Sequence, residues 1–165
     1  MTATVTMGSL LVDGGKLCTD YANGLVINVT NDAKILDWSN YASTPAGVTL
    51  NVGGHAEFNS FRGSNATRNS RLVMTGTNKA YKCRASGAHP AYVTVDGGSM
   101  YDNGSSFAWG NPGQRVLSVI NGGQITGGTF RCQHLVVDGT SSLTGNTKIH
   151  YRPTSVGDND TGGGI

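Results

Sequence analysis

Asp13, Asn31, Asp96, Asn121 and Asp138 each open a short polar or glycine-rich corner, and this row of Asx residues is the part of the chain closest to chemistry. If successive corners lie above one another, two acids could straddle a glycosidic bond, as hydrolysis requires, or serve a lyase. Asp37 and Asp102 are further acids that could pair with such a row. The competing explanation is turn formation, because Asn and Asp tolerate left-handed backbone and hydrogen-bond their own main chain. Nothing in the spacing fixes an acid–acid distance, so turn formation is the stronger reading.

The other chemistry-bearing residues are scattered. His55, His89, His134 and His150 show neither HxH nor HxxxH spacing. Cys18, Cys83 and Cys132 are odd in number and lack CxxC spacing, which supports neither zinc nor a disulfide framework and favours small buried thiols. Asp158-Asn159-Asp160-Thr161-Gly162 has the start of a calcium loop without its distal glutamate. Residues 122–128 are glycine-rich yet lack the lysine of a phosphate-cradling loop. No catalytic residue, cofactor or metal is therefore assigned, and the chain is expected not to be an enzyme. Among the aromatics in or near loops, Trp38, Tyr101 and Trp109 are the expected contacts to a partner or a glycan, because such rings bury large area and stack on sugars.

The elements that must position these groups follow from a recurring pattern of apolar run, tight corner and second apolar run. Corners begin at Asp13, Asn31, Val52, Thr75, Asp96, Asn121 and Asp138, which subtraction places 18, 21, 23, 21, 25 and 17 residues apart. A loose period of about twenty residues suits a stacked β-solenoid, in which one coil buries its apolar face only against its neighbours. Two positions before the corners stand Leu11, Val29, Leu50, Val73, Thr94, Val119 and Val136, which would form a column of like residues. Thr94 departs from it, but Val93 and Val95 flank it and suggest a register offset of one residue. Runs such as Val116–Ile120 are short, β-branched and bounded by glycine, as strands should be. The one helix candidate, Ala33–Tyr41, lacks caps.

The expected fold is all-β: a single parallel β-helix of about seven short coils over residues 1–153, followed by a glycine-rich tail or arm over 154–165. Asp-Gly and Asn-Gly between apolar runs are also hairpin signals, so an antiparallel β-sandwich or jelly roll is the alternative. Composition agrees with strands and tight turns. Glycine makes up 25 of 165 residues, against a usual ~7%. The net charge of +2 comes without a cluster of Lys or Arg, which argues against a nucleic-acid partner. No run approaches the ~18 apolar residues of a membrane span. Met1–Val5 has no basic start or apolar h-region, so synthesis in a cytoplasm without a signal peptide is expected.

Two runs carry a resemblance: Tyr92-Val93-Thr94-Val95-Asp96-Gly97-Gly98-Ser99, and Val119-Ile120-Asn121-Gly122-Gly123 with the Gln124-Ile125-Thr126-Gly127-Gly128 that follows. They resemble rungs of the right-handed parallel β-helices of bacteriophage tailspikes, fibres and other virion proteins, over roughly residues 5 to 150. The resemblance implies a virion protein made in a host cytoplasm, and it supplies no catalytic residue. The chain carries far fewer coils than tailspike enzymes do, and no polar cap helix covers either end of the coil. The leading expectation is thus a non-enzymatic capsid decoration or cement protein. It would bind the major capsid protein and associate with copies of itself, a trimer among the arrangements considered. The alternative is a carbohydrate-binding or depolymerising tip of a tail spike or fibre.

Overall fold

The computed structural model describes residues 2–13, 24–36, 48–59, 70–83, 90, 92–103, 116–151 and 163–164. Among them every regular element is a strand. In chain order these are β1 (Ala3–Met7), β2 (Leu10–Val12), β3 (Leu25–Val29), β4 (Ala33–Ile35), β5 (Val48–Val52), β6 (Ala56–Phe58), β7 (Arg71–Met74) and β8 (Lys79–Cys83). They continue as β9 (Tyr92–Asp96), β10 (Ser99–Asp102), β11 (Val116–Ile120), β12 (Gln124–Thr126), β13 (Thr129–Cys132), β14 (His134–Val137), β15 (Ser142–Thr144), β16 (Lys148–Tyr151) and β17 (Gly163–Gly164).

The first long wall runs β1-β3-β5-β7-β9-β11-β14, the second runs β2-β4-β6-β8-β10-β12-β15, and a short third wall contains β13, β16 and β17. All pairing within the two long walls is parallel. The chain is a parallel β-solenoid, and the antiparallel sandwich is excluded. Each long wall is seven strands high. Over 116–151 the described residues trace the three-walled path without interruption. The helix candidate is corrected as well: Ala33–Ile35 is a strand, and residues 37–41 lie outside the described residues.

Register explains how the core fills. Because side chains alternate across a strand, each wall sends every second residue inward. In the first wall one inward column reads Val5, Ile27, Leu50, Leu72, Val93, Leu117 and Leu135. The second reads Met7, Val29, Val52, Met74, Val95, Val119 and Val137. All fourteen are apolar, and in the middle of the stack Leu50, Val52, Leu72, Met74 and Val95 are fully buried. Each such side chain contributes roughly 1.5–3 kcal/mol over leaving it exposed. The second wall adds Ile35, Phe58, Met100 and Ile125, with Phe58 edge-on to Tyr81 at 6.2 Å.

Uneven coil lengths are absorbed at corners. Paired residue numbers differ by 22, 23, 22, 21, 24 and 18 up the first wall. Between the third and fourth rungs the two walls disagree: Thr49 pairs with Arg71, 22 residues on, while Ala56 pairs with Tyr81, 25 on. The extra chain forms a bulge in which Ala80 and Tyr81 are both buried in succession. His55 repairs the interrupted ladder by accepting the Ala80 N–H on Nδ1 at 2.8 Å.

Candidate functional site

Three of the Asx corners, those of Asp96, Asn121 and Asp138, are brought together by hydrogen bonds between coils. Asn121 stands at φ 55°, in the left-handed region that Asn tolerates better than most residues. Its Nδ2 donates to Asp96 Oδ1 at 2.7 Å, and its main-chain N–H donates to Asp138 Oδ2 at 2.6 Å. Asp138 Oδ1 in turn accepts from Ser141 Oγ at 2.7 Å, Thr140 Oγ1 at 2.8 Å and the Thr140 N–H at 3.0 Å. The Ser141 hydroxyl first, then the Asn121 N–H and the Thr140 hydroxyl, hold the Asp138 carboxyl well below the usual carboxylate range. A carboxylate so held has no proton to donate near neutral pH, and both its oxygens are engaged. Asp32 is used in the same way, with Oδ1 accepting the His55 N–H at 2.8 Å.

Asp13 does not join this ladder. Met7 pairs with Val29, so the corner equivalent to Asn31-Asp32 is Gly8-Ser9, between β1 and β2. Asp13 follows β2 instead, one wall further round the coil. Among the described residues no three His, Cys, Asp or Glu side chains gather as a metal site would need.

Of the three expected contact residues, Tyr101 is placed on β10, half-buried and paired in register with Ala80. Trp38 and Trp109 lie outside the described residues. The first wall's outer face carries features not anticipated from sequence. Asn51 Nδ2 donates to Asn28 Oδ1 at 2.7 Å, and Asn28 Nδ2 donates to Thr6 Oγ1 at 3.3 Å, making a side-chain ladder up one column. In the neighbouring column the Arg71 guanidinium sits 4.1 Å from the centre of the Tyr92 ring, a cation–π contact.

The most telling surface is at the two ends. The exposed large apolar residues among those described are Val5 at 44%, Leu11 at 67%, Leu135 at 38%, Val136 at 48% and Val137 at 40%. All five belong to the first rung, β1 and β2, or to the last strand of the first wall, β14. Val5, Leu135 and Val137 occupy inward columns whose central members are fully buried. Among the described residues each has an in-register neighbour on one side only. Charged residues and proline are common devices that blunt edge strands. No Lys, Arg, Asp, Glu or Pro occurs in β1, β2, β14 or β15. In the short third wall, β17 pairs antiparallel with β16 through His150–Gly164 and Tyr151–Gly163. Locating the rims from sequence required the correct register, which the glycine corners did not provide.

The geometry defines the molecule by class, as a parallel β-solenoid that exposes apolar side chains on its first rung and on the last strand of its first wall. No protein-family model, curated protein or solved structure matches the chain.

Proposed function

We propose that this protein is a non-enzymatic structural component that acts by burying its β-solenoid rims against protein partners. The observation carrying this reading is that, among the described residues, the exposed large apolar side chains all lie on the first rung or on the last strand of the first wall. Such surface marks an interaction site, and a strand edge without charge or proline beside it favours pairing with another chain. The Asx ladder supports the same reading, because Asp96, Asn121 and Asp138 bond to one another between coils and Asp138 also closes its own turn. The rung resemblance suggests the setting: a phage virion, with the chain decorating or cementing the particle surface across major capsid protein subunits.

The test is co-sedimentation of purified protein with particle shells that lack it, together with the shells' resistance to heating. Binding that raises the melting temperature of the shell, and that is lost when Leu135→Lys charges a rim, is the expected result. Failure to bind any shell together with cleavage of a polysaccharide would overturn the reading. It would favour the tail-spike alternative, for which Tyr101 and the Arg71–Tyr92 pair are candidate sugar contacts among the described residues.

A further inference from the structure

Resting on the proposal that the rims are sealed by protein, we infer that the partner at each rim is a second copy of this chain, stacked head to tail along the solenoid axis. In this arrangement β14 of one copy pairs with β1 of the next. Continuity of the inward columns supports this occupant. One column runs from Val5 to Leu135 and the other from Met7 to Val137, apolar at every rung. Placing β1 on β14 sets Val5 on Leu135 and Met7 on Val137, repeating the parallel step that joins every rung of the first wall.

The outer columns are compatible too. Thr6 follows Val136 and Thr4 follows His134, so no like charges meet. β2 would stack on β15, and Leu10, Leu143 and Val12 are each already half-buried against the core. In the third wall β16 already carries β17, paired antiparallel, so the junction is made by the two long walls. The contact is heterologous, joining unlike ends, so it leaves a fresh rim at each end and propagates as a filament.

The experiment uses two single variants of the full chain. Val5→Lys charges the leading rim and Leu135→Lys the trailing rim. Both positions are partly exposed in an isolated copy, and a junction would bury them. Sedimentation velocity should find wild-type protein in a concentration-dependent series of multiples, and each variant alone as a monomer. An equimolar mixture should then form dimers and go no further. The intact leading rim of Leu135→Lys still fits the intact trailing rim of Val5→Lys, and the two remaining rims are both charged.

Circular dichroism checks that each variant is folded. The pair Met7→Lys and Val137→Lys repeats the design in the other inward column should either of the first two fail to fold. Wild-type protein that stays monomeric up to about 1 mM overturns the inference. Self-association of Val5→Lys alone does so as well, since it would join trailing rims to each other. A monomeric wild-type chain that still binds shells, and loses them on rim charging, sinks the stacking while leaving the proposed function intact.

Discussion

At the scale of single residues, Asp138 and Cys132 make opposite predictions from opposite environments. The Asp138 carboxyl ordinarily titrates at 3.8 and is held well below that by the Ser141, Asn121 and Thr140 donors. A folded-state value lower than the unfolded one means that the ionised group stabilises the fold above the unfolded value. That contribution fades as pH falls toward the folded value, because the unfolded chain then binds the proton first. Asp138→Ala should therefore melt below wild type at pH about 7, and the gap should narrow steadily below about pH 4. Thermal melts across that range check it, and a gap that stays constant with pH would remove the ionised carboxylate from the account. For Cys132, burial pushes the thiol up to about 11, and both Cys132 and Cys83 are buried. In a Cys18→Ser background neither should react with a thiol reagent at pH about 8 until denaturant opens the core. Rapid labelling of native protein would contradict that packing. Small buried thiols are what the cysteine spacing suggests, and for these two the fold agrees.

At the scale of elements, the corners decide both how the coils stack and how far the sequence could be read. A Cβ at Gly98 would lie 2.5 Å from the Gly76 carbonyl oxygen of the coil below. A Cβ at Gly123 would lie 2.6 Å from the Val95 oxygen. Neither neighbour can move without parting the ladder. Gly98→Ala should then cost about 1–3 kcal/mol by overpacking. Gly139 meets nothing within 4 Å and does not require left-handed backbone, so Gly139→Ala should be neutral or stabilise by up to about 1 kcal/mol. Denaturant titration of the pair separates close stacking from mere turn propensity, and equal effects would refute the stacking. The same corners explain the slips in the sequence reading. Counting back two residues from each corner lands on the inward residues Val29, Leu50 and Val119 in some coils and on the outward residues Val73, Thr94 and Val136 in others. Glycine marks where backbones come close, and that point shifts by a residue or two as corner length changes. The apolar columns hold the true frame. Composition and period therefore revealed the solenoid, while the register, the first corner and the bulge at Ala80 depended on pairing between coils.

At the scale of the whole molecule, a solenoid is a row of units coupled to nearest neighbours, so stability should be graded along its axis. Leu72, in the fourth rung, has a neighbour on each side and is fully buried. Val137, in the same wall's last strand, has a neighbour on one side only and is 40% exposed. Leu72→Ala should cost about 2–5 kcal/mol, the range for a large aliphatic side chain lost from a tight core. Val137→Ala should cost well under about 1 kcal/mol in dilute protein, since much of its surface already faces water. Amide exchange should follow the same profile, slowest in β5, β7 and β9 and fastest in β1 and β14. The candidate site was the least legible part of the sequence for this reason: Val5 and Leu135 look like any other core residue until the stack is seen to stop. The gradient also reports on what covers the ends. If the rims take up protein, raising the protein concentration or adding shells should slow exchange in β1 and β14 toward the central rate and leave β7 unchanged. Val137→Ala should then become costly under those conditions alone. Uniform protection from β1 to β14 in dilute monomer would mean the ends are already sealed from within the chain, and the case for rims that recruit a partner would fall.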